Sequence, residues 1–187
     1  MILEGLVTTV AADGLMHVAP MGPRVEPEMR RFLLRPFPTS QTYLNLRAHP
    51  EGVLHVTDDA LLLARAAIGR FDEQPLHHPA TVIRGFVLDK SCRAFEFRVL
   101  SFDDSEQRVR IDCEVVRVHQ LHDFFGFNRA KHAVVEAAIL ATRVHLLPRD
   151  EILAEYAKFD VIVGKTGSDA ERRAMELLRA YVTEGAT

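Results

Sequence analysis

Two stretches, CRAFEFRVLSF (92–102) and RVRIDCEVVRVHQL (108–121), alternate apolar and polar residues almost without a slip. Successive side chains of a strand point to opposite faces, so each stretch has one dry and one wet side. The five residues between them, DDSEQ, predict a tight hairpin. Strands of a doubly wound parallel sheet are covered on both faces. Strands wet on one side suit an antiparallel barrel instead.

The first 125 residues carry further strand signals. ILEGLVTTV (2–10) and LMHVA (15–19) flank Asp13-Gly14, a strong hairpin signal. Pro20, Gly22 and Pro23 are expected to break the second of these strands. RRFLLR (30–35) is a third strand, followed by a short helix over about 40–47 that ends at His49-Pro50-Glu51-Gly52. GVLHV (52–56) is a fourth strand, and Asp58-Asp59 open a helix, ALLLARAAI, that stops at Gly69. Residues 70–81, with Pro75, His77, His78 and Pro79, predict a loop, and VIRGFVL (82–88) fits helix or strand. From Phe127 onward helices are expected over 129–147, 149–159 and 169–183, the last opened by a capping box from Ser168 to Glu171. The expected architecture is mainly β with α: a barrel over 1–125 and a C-terminal helical subdomain over 126–187.

Composition narrows the function classes. A chain of 187 residues, 48% apolar and 26% charged, is an ordinary globule with enough length for a core of its own. Net charge is −3 and the basic residues are dispersed, which argues against a nucleic-acid partner. No apolar run reaches the roughly 18 to 20 residues of a bilayer span, and the start, MILEGL, carries Glu4 and no basic region. A cytoplasmic protein without a membrane partner is expected. Cys92 and Cys113, on neighbouring strands that can bring them close, predict two buried thiols rather than a disulfide. His77-His78 and the pair His119 and His122 have no cysteine or carboxylate at a tight zinc spacing, so no metal site is expected. VGKTG (163–167) has the end of a P-loop, but Phe159 stands where the motif needs glycine, and a glycine stop before the Ser168 cap explains it. On this reading Lys165 lies in a loop from which it can reach a ligand. There is neither a G-x-S-x-G elbow nor a cysteine-nucleophile signature.

Three constellations carry chemistry. In RPFPTSQTYLNL (35–46) a strand ends at Arg35, and Thr39, Ser40, Gln41 and Thr42 open a helix. Free N–H groups and the positive end of the helix dipole make such a start an anion seat, although a plain N-cap at Thr39 or Ser40 explains the same residues. In APMG, Ala19, Pro20, Met21 and Gly22 predict an irregular strand end whose main-chain groups can read a flat heteroaromatic ligand. In NRAKH, Asn128 caps a helix; Arg129 and His132 share a face, with Lys131 about 100° round from His132. Cations at a helix N-terminus oppose the dipole and cost stability unless an anion is near. The run that follows, AVVEAAILA, is apolar almost all round, which predicts burial between barrel and tail or across a dimer interface.

In their order, EGLVTTV, DGLMHVAPMG, RPFPTSQTYLNL, HVTDDALLLARAAI, NRAKHAVVEAAILATR and VGKTGSDAE resemble the flavin-reductase-like FMN-binding split barrels, a superfamily that also holds pyridoxamine-phosphate oxidases. More narrowly, the chain is similar to the family called domain of unknown function 447, over nearly its whole length. The resemblance implies an FMN-binding split barrel, a homodimer with the flavin site near the subunit interface, and a flavin-dependent oxidoreductase whose small-molecule substrate is unknown. It places the FMN phosphate on Arg35, Thr39, Ser40, Gln41 and Thr42, with Asn45 nearby. The isoalloxazine edge falls on Ala19, Pro20, Met21 and Gly22, and Val56, Thr57 and Asp58 close the site. Asn128, Arg129, Lys131 and His132 are candidate contacts, and the last two are the groups to test as proton donors. Two other readings stand beside it: a sensor or carrier that binds FMN or another phosphate-bearing ligand without turnover, and a structural dimer whose cleft has lost its ligand. With no G-x-G-x-x-G, a nicotinamide would have to stack directly on the flavin.

Overall fold

The computed structural model describes residues 1–185, which divide into two compact units. The first comprises Met1–Thr57 and Pro75–Asp123, the second Asp58–Gln74 and Phe124 onward. Residues 58–74 thus belong with the helical unit rather than with the barrel.

The first unit is a curled antiparallel sheet. Its strands are β1 (Gly5–Val10), β2 (Met16–Met21), β3 (Arg24–Val25), β4 (Arg31–Leu34), β5 (Glu51–Val56), the short pair β6 (His77–Pro79) and β7 (Phe86–Leu88), β8 (Arg93–Asp103) and β9 (Arg110–Gln120). The main sheet runs β2-β1-β5-β8-β9-β4-β3. β2 and β3 are two halves of one bent strand. Met21 lies opposite Gly5, and Arg24 opposite Ile2 in the same register. The Leu3 N–H donates to the Pro23 carbonyl and the Val25 N–H to that of Met1. Past the bend, Arg24 and Val25 pair with Leu33 and Phe32 of β4. The sheet curls back on itself through residues 16–25, a bent strand that pairs with β1 along β2 and with β4 along β3.

β8 and β9 form the predicted hairpin, with register shifts at Glu96/Phe97 and Val99/Ser101 that bend it, but the expected one-sided burial gives way to burial on both faces over Ala94–Phe97. The hairpin is wider than DDSEQ suggests, because Asp103 already pairs with Arg110 and residues 104–109 form the loop. Cys113 lies opposite Val99, seven residues along β8 from Cys92. The two buried cysteines form no disulfide and stand roughly 20 Å apart along the strand rather than close together. Inside the barrel Phe32 meets Phe97 edge to face at 5.2 Å among Val7, Leu34, Leu54, Phe95 and Ile111. Gly5 is required here, since a Cβ would sit 2.5 Å from the His55 carbonyl oxygen of the adjacent strand.

The expected loop 70–81 contains β6, paired with β7. Three residues ending in proline give too short a pattern to read. Residues 81–83 are held from below by Glu96, which is fully buried. Its carboxylate accepts from the N–H groups of Thr81, Val82 and Ile83, the Thr81 hydroxyl and, at 2.6 Å, His119 Nε2. Burial would push this carboxyl up, but those donors hold it down at about 2. His55, fully buried, donates from Nδ1 to the Leu6 carbonyl and accepts the Leu88 N–H at Nε2. Burial drives its pKa down to about 3, so the ring stays neutral.

The second unit packs four helices: α2 (Ala60–Ile68), α3 (Arg129–Ala141), α4 (Arg149–Thr166) and α5 (Asp169–Glu184). Alanines 130, 133, 137, 138 and 141 form the buried face of α3. They let α2, α4 and α5 approach closely, so the apolar run is consumed within this unit. α3 stops at Ala141 rather than 147, where the Thr142 hydroxyl bonds back to the Ile139 carbonyl ahead of Pro148. α4 runs on past 159 because Ile152, Tyr156, Phe159 and Val163 keep a helical spacing into the core. Lys165 therefore sits exposed in the last helical turn, not in a loop, and Gly167 is the stop. The Ser168–Glu171 capping box forms as predicted. Among the described residues no helix is long and apolar enough to cross a membrane.

Candidate functional site

The backbone at residues 19–22 is more regular than its prolines and glycine predict. Ala19, Pro20 and Met21 remain in β2, opposite Val7, Leu6 and Gly5. β2 is an end strand, where a proline takes no ladder bond away. The bend comes at Gly22-Pro23, where the strand leaves β1's main run to meet β4. A Cβ on Gly22 would lie 3.1 Å from Ile2 Cγ2 and 3.6 Å from Glu4 Oε1, so the turn leaves little room for a side chain. Val56 ends β5, and Leu6 lies opposite His55, so β5 and β2, on either side of β1, both finish at its Gly5 end. The Val56 carbonyl accepts from Cys92 N–H at 2.8 Å, and Thr57 is buried.

The helix start after β4 is a capped helix, α1 (Gln41–Ala48). Ser40 is the N-cap: its Oγ accepts from the Tyr43 N–H and donates to the Phe37 carbonyl. Thr39 and Gln41 are exposed and Thr42 is buried. Asn45 is buried too, accepting from Gln41 Nε2 at 2.7 Å and donating to Thr9 Oγ1 at 2.9 Å. Asn45 therefore ties α1 to β1. Thr39, Gln41 and the first N–H groups of α1 remain the open polar surface of this element.

Barrel closure brings two of the predicted sets together. Met21 and Gly22 line one cleft with Arg35, along with Ile2, Arg24 and Arg108; its volume is about 230 Å³. Arg35 extends toward Glu106 at 3.4 Å. Arg108 donates to the Arg35 carbonyl at 3.2 Å and lies over the Phe37 ring, 4.1 Å from its centroid. Among the described residues neither Arg24 nor Arg108 has a carboxylate within ion-pair distance. Sequence reasoning missed both arginines. Arg24 follows the apparent strand break, and Arg108 lies in the loop just before β9, some seventy residues from Arg35. Only the register of the closed barrel makes them neighbours.

In the helical unit Asn128 caps α3, accepting from the N–H groups of Ala130 and Lys131, and donates to the Thr166 carbonyl. Lys131 Nζ bonds the Asp58 carbonyl at 2.7 Å and Glu171 Oε1 at 3.1 Å. The anion that a cation at a helix start calls for is thus Glu171, only 3% exposed. Burial would raise the Glu171 carboxyl; the Ser168 hydroxyl and N–H, and then Lys131, hold it at about 2. The Asp58 carboxylate accepts the Phe125 N–H at 2.9 Å. Arg129 and His132 are exposed, and the His132 ring meets Phe127 edge to face at 6.0 Å.

Two family models match this chain, both described as protein of unknown function (DUF447): an N-terminal domain over residues 3–122 and a second over 128–180. The chain belongs to the DUF447 family. Among solved structures, this DUF447 chain is similar to the FMN-bound protein MM1853 from Methanosarcina mazei, itself of this family. Identity is 22%, with 96% of this chain and 94% of that one covered and a TM-score of 0.82. It is similar to the 2-nitrobenzoate 2-nitroreductase NbaA of Pseudomonas fluorescens, at 20% identity, with 63% of this chain and 64% of that one covered and a TM-score of 0.54. An FMN-binding protein from Thermus thermophilus matches at 13% identity, 63% and 70% coverage and a TM-score of 0.54. The fold is that of the FMN-binding split barrels. No curated protein matches.

Proposed function

We propose that this DUF447 chain binds FMN and works as a flavin-dependent oxidoreductase in a homodimer, with the flavin near the subunit interface. The observation that carries the reading is the convergence of Met21 and Gly22 with Arg35 in one cleft, from separate strands. The fold-level likeness to an FMN-bound family member supports it.

The residues fit an aromatic ring joined to a phosphate. The end of β2 and the tight turn at Gly22 let a planar ring approach the backbone closely. Arg35, with Thr39, Gln41 and the α1 start, offers a cation and free donors to the phosphate. A cleft of about 230 Å³ takes only one end of such a ligand, so the rest lies along the outer surface. Bound FMN would supply hydride and electron transfer, while the protein seats and orients it. Arg35→Ala removes a charge-assisted contact worth about 1.5–3 kcal/mol, or roughly 10- to 150-fold in FMN affinity. Titration by flavin fluorescence measures this; a wild type that ignores added FMN sinks the reading.

One observation favours a sensor or carrier instead. The polar side chains lining the cleft are all arginines, which keep their protons at every working pH. Among the described residues that line the cleft, none is a carboxylate, histidine, cysteine or lysine that could pass a proton. A bound flavin that neither NADH nor NADPH reduces, and that passes electrons to no acceptor, would decide for binding without turnover.

A further inference from the structure

Away from the flavin cleft, the fold gives two histidines a carboxylate each. The β6–β7 pairing sets His78 opposite Val87, and His78 Nδ1 meets Asp89 Oδ1 at 2.6 Å. On the main sheet His119, opposite Ala94, meets Glu96 Oε1 from Nε2 at 2.6 Å. The partners lie 11 and 23 residues apart in the chain, so no tight sequence spacing announces them. An ionised carboxylate only accepts, so in each neutral ring the bonded nitrogen carries the proton. The other nitrogen, Nε2 of His78 and Nδ1 of His119, is left with a lone pair.

The two rings are neighbours, with centroids 6.4 Å apart. Among the described residues neither lone-pair nitrogen has a hydrogen-bond partner. Neither is sealed from solvent, because Ser91 Oγ is the one buried side-chain atom there without a partner. An imidazole that binds a metal ordinarily donates its other N–H to a carboxylate, which fixes the tautomer and makes the ligating nitrogen more basic. Both rings have that arrangement. With Zn–N bonds of about 2.0–2.1 Å, two imidazoles on one tetrahedral ion have centroids roughly 5 Å apart, about 1 Å closer than here. His78 and Asp89, with side chains 44% and 43% exposed, have the freedom to close that difference.

We propose that His78 and His119 together bind one divalent transition-metal ion, with Asp89 and Glu96 orienting the two rings and water completing the coordination. Imidazole nitrogen favours zinc, nickel or copper; calcium and magnesium want oxygen ligands. The ion clips the β6–β7 pair to β9. Without it that pair rests on the main sheet through Glu96, the Thr8 hydroxyl bond to the Phe86 carbonyl and His55. The proposal is independent of the flavin reading, since none of these residues lines the flavin cleft.

The test is calorimetric titration of zinc chloride into the full, untagged chain after dialysis against a chelator. One ion per chain is expected, at micromolar affinity, with calcium chloride giving no binding. His78→Ala should weaken zinc binding tenfold or more, and Asp89→Ala by roughly tenfold. His119→Ala should also weaken it; because that change strips a donor from buried Glu96, His78→Ala keeps the test valid if the His119 variant folds poorly. His77→Ala, the next residue along β6 and so on its other face, should bind zinc as the wild type does. Zinc should slow amide exchange at residues 77–79 and 86–88 in the wild type and not in His78→Ala. Absence of saturable zinc binding would overturn the proposal. So would binding that survives His78→Ala, or that His77→Ala weakens equally, since scattered surface histidines would then be responsible.

Discussion

Replacing Lys131 by methionine tests whether this cation belongs to the fold or to a ligand. Glu171 is 3% exposed and the Lys131 side chain 25% exposed, so the pair is shielded on one side and partly open on the other. The Glu171 carboxyl is depressed from 4.5 to about 2, which corresponds to about 3 kcal/mol of preference for the charged form in the folded state. Ser168 provides the larger part of that preference and Lys131 a smaller one, on the order of 1 kcal/mol. Lys131→Met also removes the donor to the Asp58 carbonyl, worth about 1 kcal/mol more. The expected loss is therefore about 2 kcal/mol, below the roughly 3–5 kcal/mol of a fully buried pair. Urea unfolding of Lys131→Met, Glu171→Gln and the double variant would show a coupling of about 1 kcal/mol, with FMN affinity unchanged in Lys131→Met. A Lys131→Met protein as stable as wild type but poor at holding FMN would refute the argument and return Lys131 to the flavin site.

Acid should weaken the protein in two stages. His55 has its folded pKa lowered from 6.5 to about 3, so its contribution is complete above pH 6.5 and is lost as pH falls toward 3, while the unfolded chain takes up the proton. Between pH 6.5 and 5 this amounts to about 2 kcal/mol, read as a fall in the urea midpoint; a flat midpoint over that window would mean that the ring is not buried neutral. Glu96 and Glu171, both lowered from 4.5 to about 2, contribute above pH 4.5 and fail between there and pH 2, which should steepen the loss below pH 4.5. Glu96→Gln replaces an acceptor-only carboxylate by an amide that cannot satisfy all five donors, so about 2–4 kcal/mol and faster amide exchange at residues 81–83 are expected; exchange there at the wild-type rate would show that Glu96 does not anchor the loop.

Legibility in the sequence followed the range of the interactions. β8 and β9 were plain because their apolar and polar residues alternate over most of two long stretches, even though Ala94–Phe97 turn out buried on both faces. β6 was hidden because three residues, His77–Pro79, print no period, and its partner β7 is needed to define it. α4 was expected to end at 159, yet the helix continues through Gly164 because Val163 beside it is buried, and tertiary burial outweighs the roughly 1 kcal/mol that a glycine costs a helix. The candidate site divides on the same principle. Arg35 and the hydroxyls of the α1 start could be read because a strand end and a helix start are local features. Arg24 and Arg108 could not, because their proximity depends on a strand that bends at Gly22-Pro23 and closes a barrel. A weak signal existed: Arg108 and Arg110 alternate with the buried Val109 and so share a face near the hairpin turn.

The cationic start of α3 shows where such reading stops in principle. Elementary electrostatics requires an anion near Lys131, and that requirement is met. The sequence leaves open whether the anion is a ligand or a side chain, since Glu171 lies forty residues away. The capping box that the sequence does reveal at Ser168–Glu171 fixes that carboxylate at the start of α5, where it serves two helix N-termini at once. Of the cations gathered in NRAKH, the structure commits Lys131 to the fold and leaves Arg129 and His132 exposed. Of the cations in NRAKH, only Arg129 and His132 are therefore open to a ligand, and replacing them should leave the stability of the helical unit untouched.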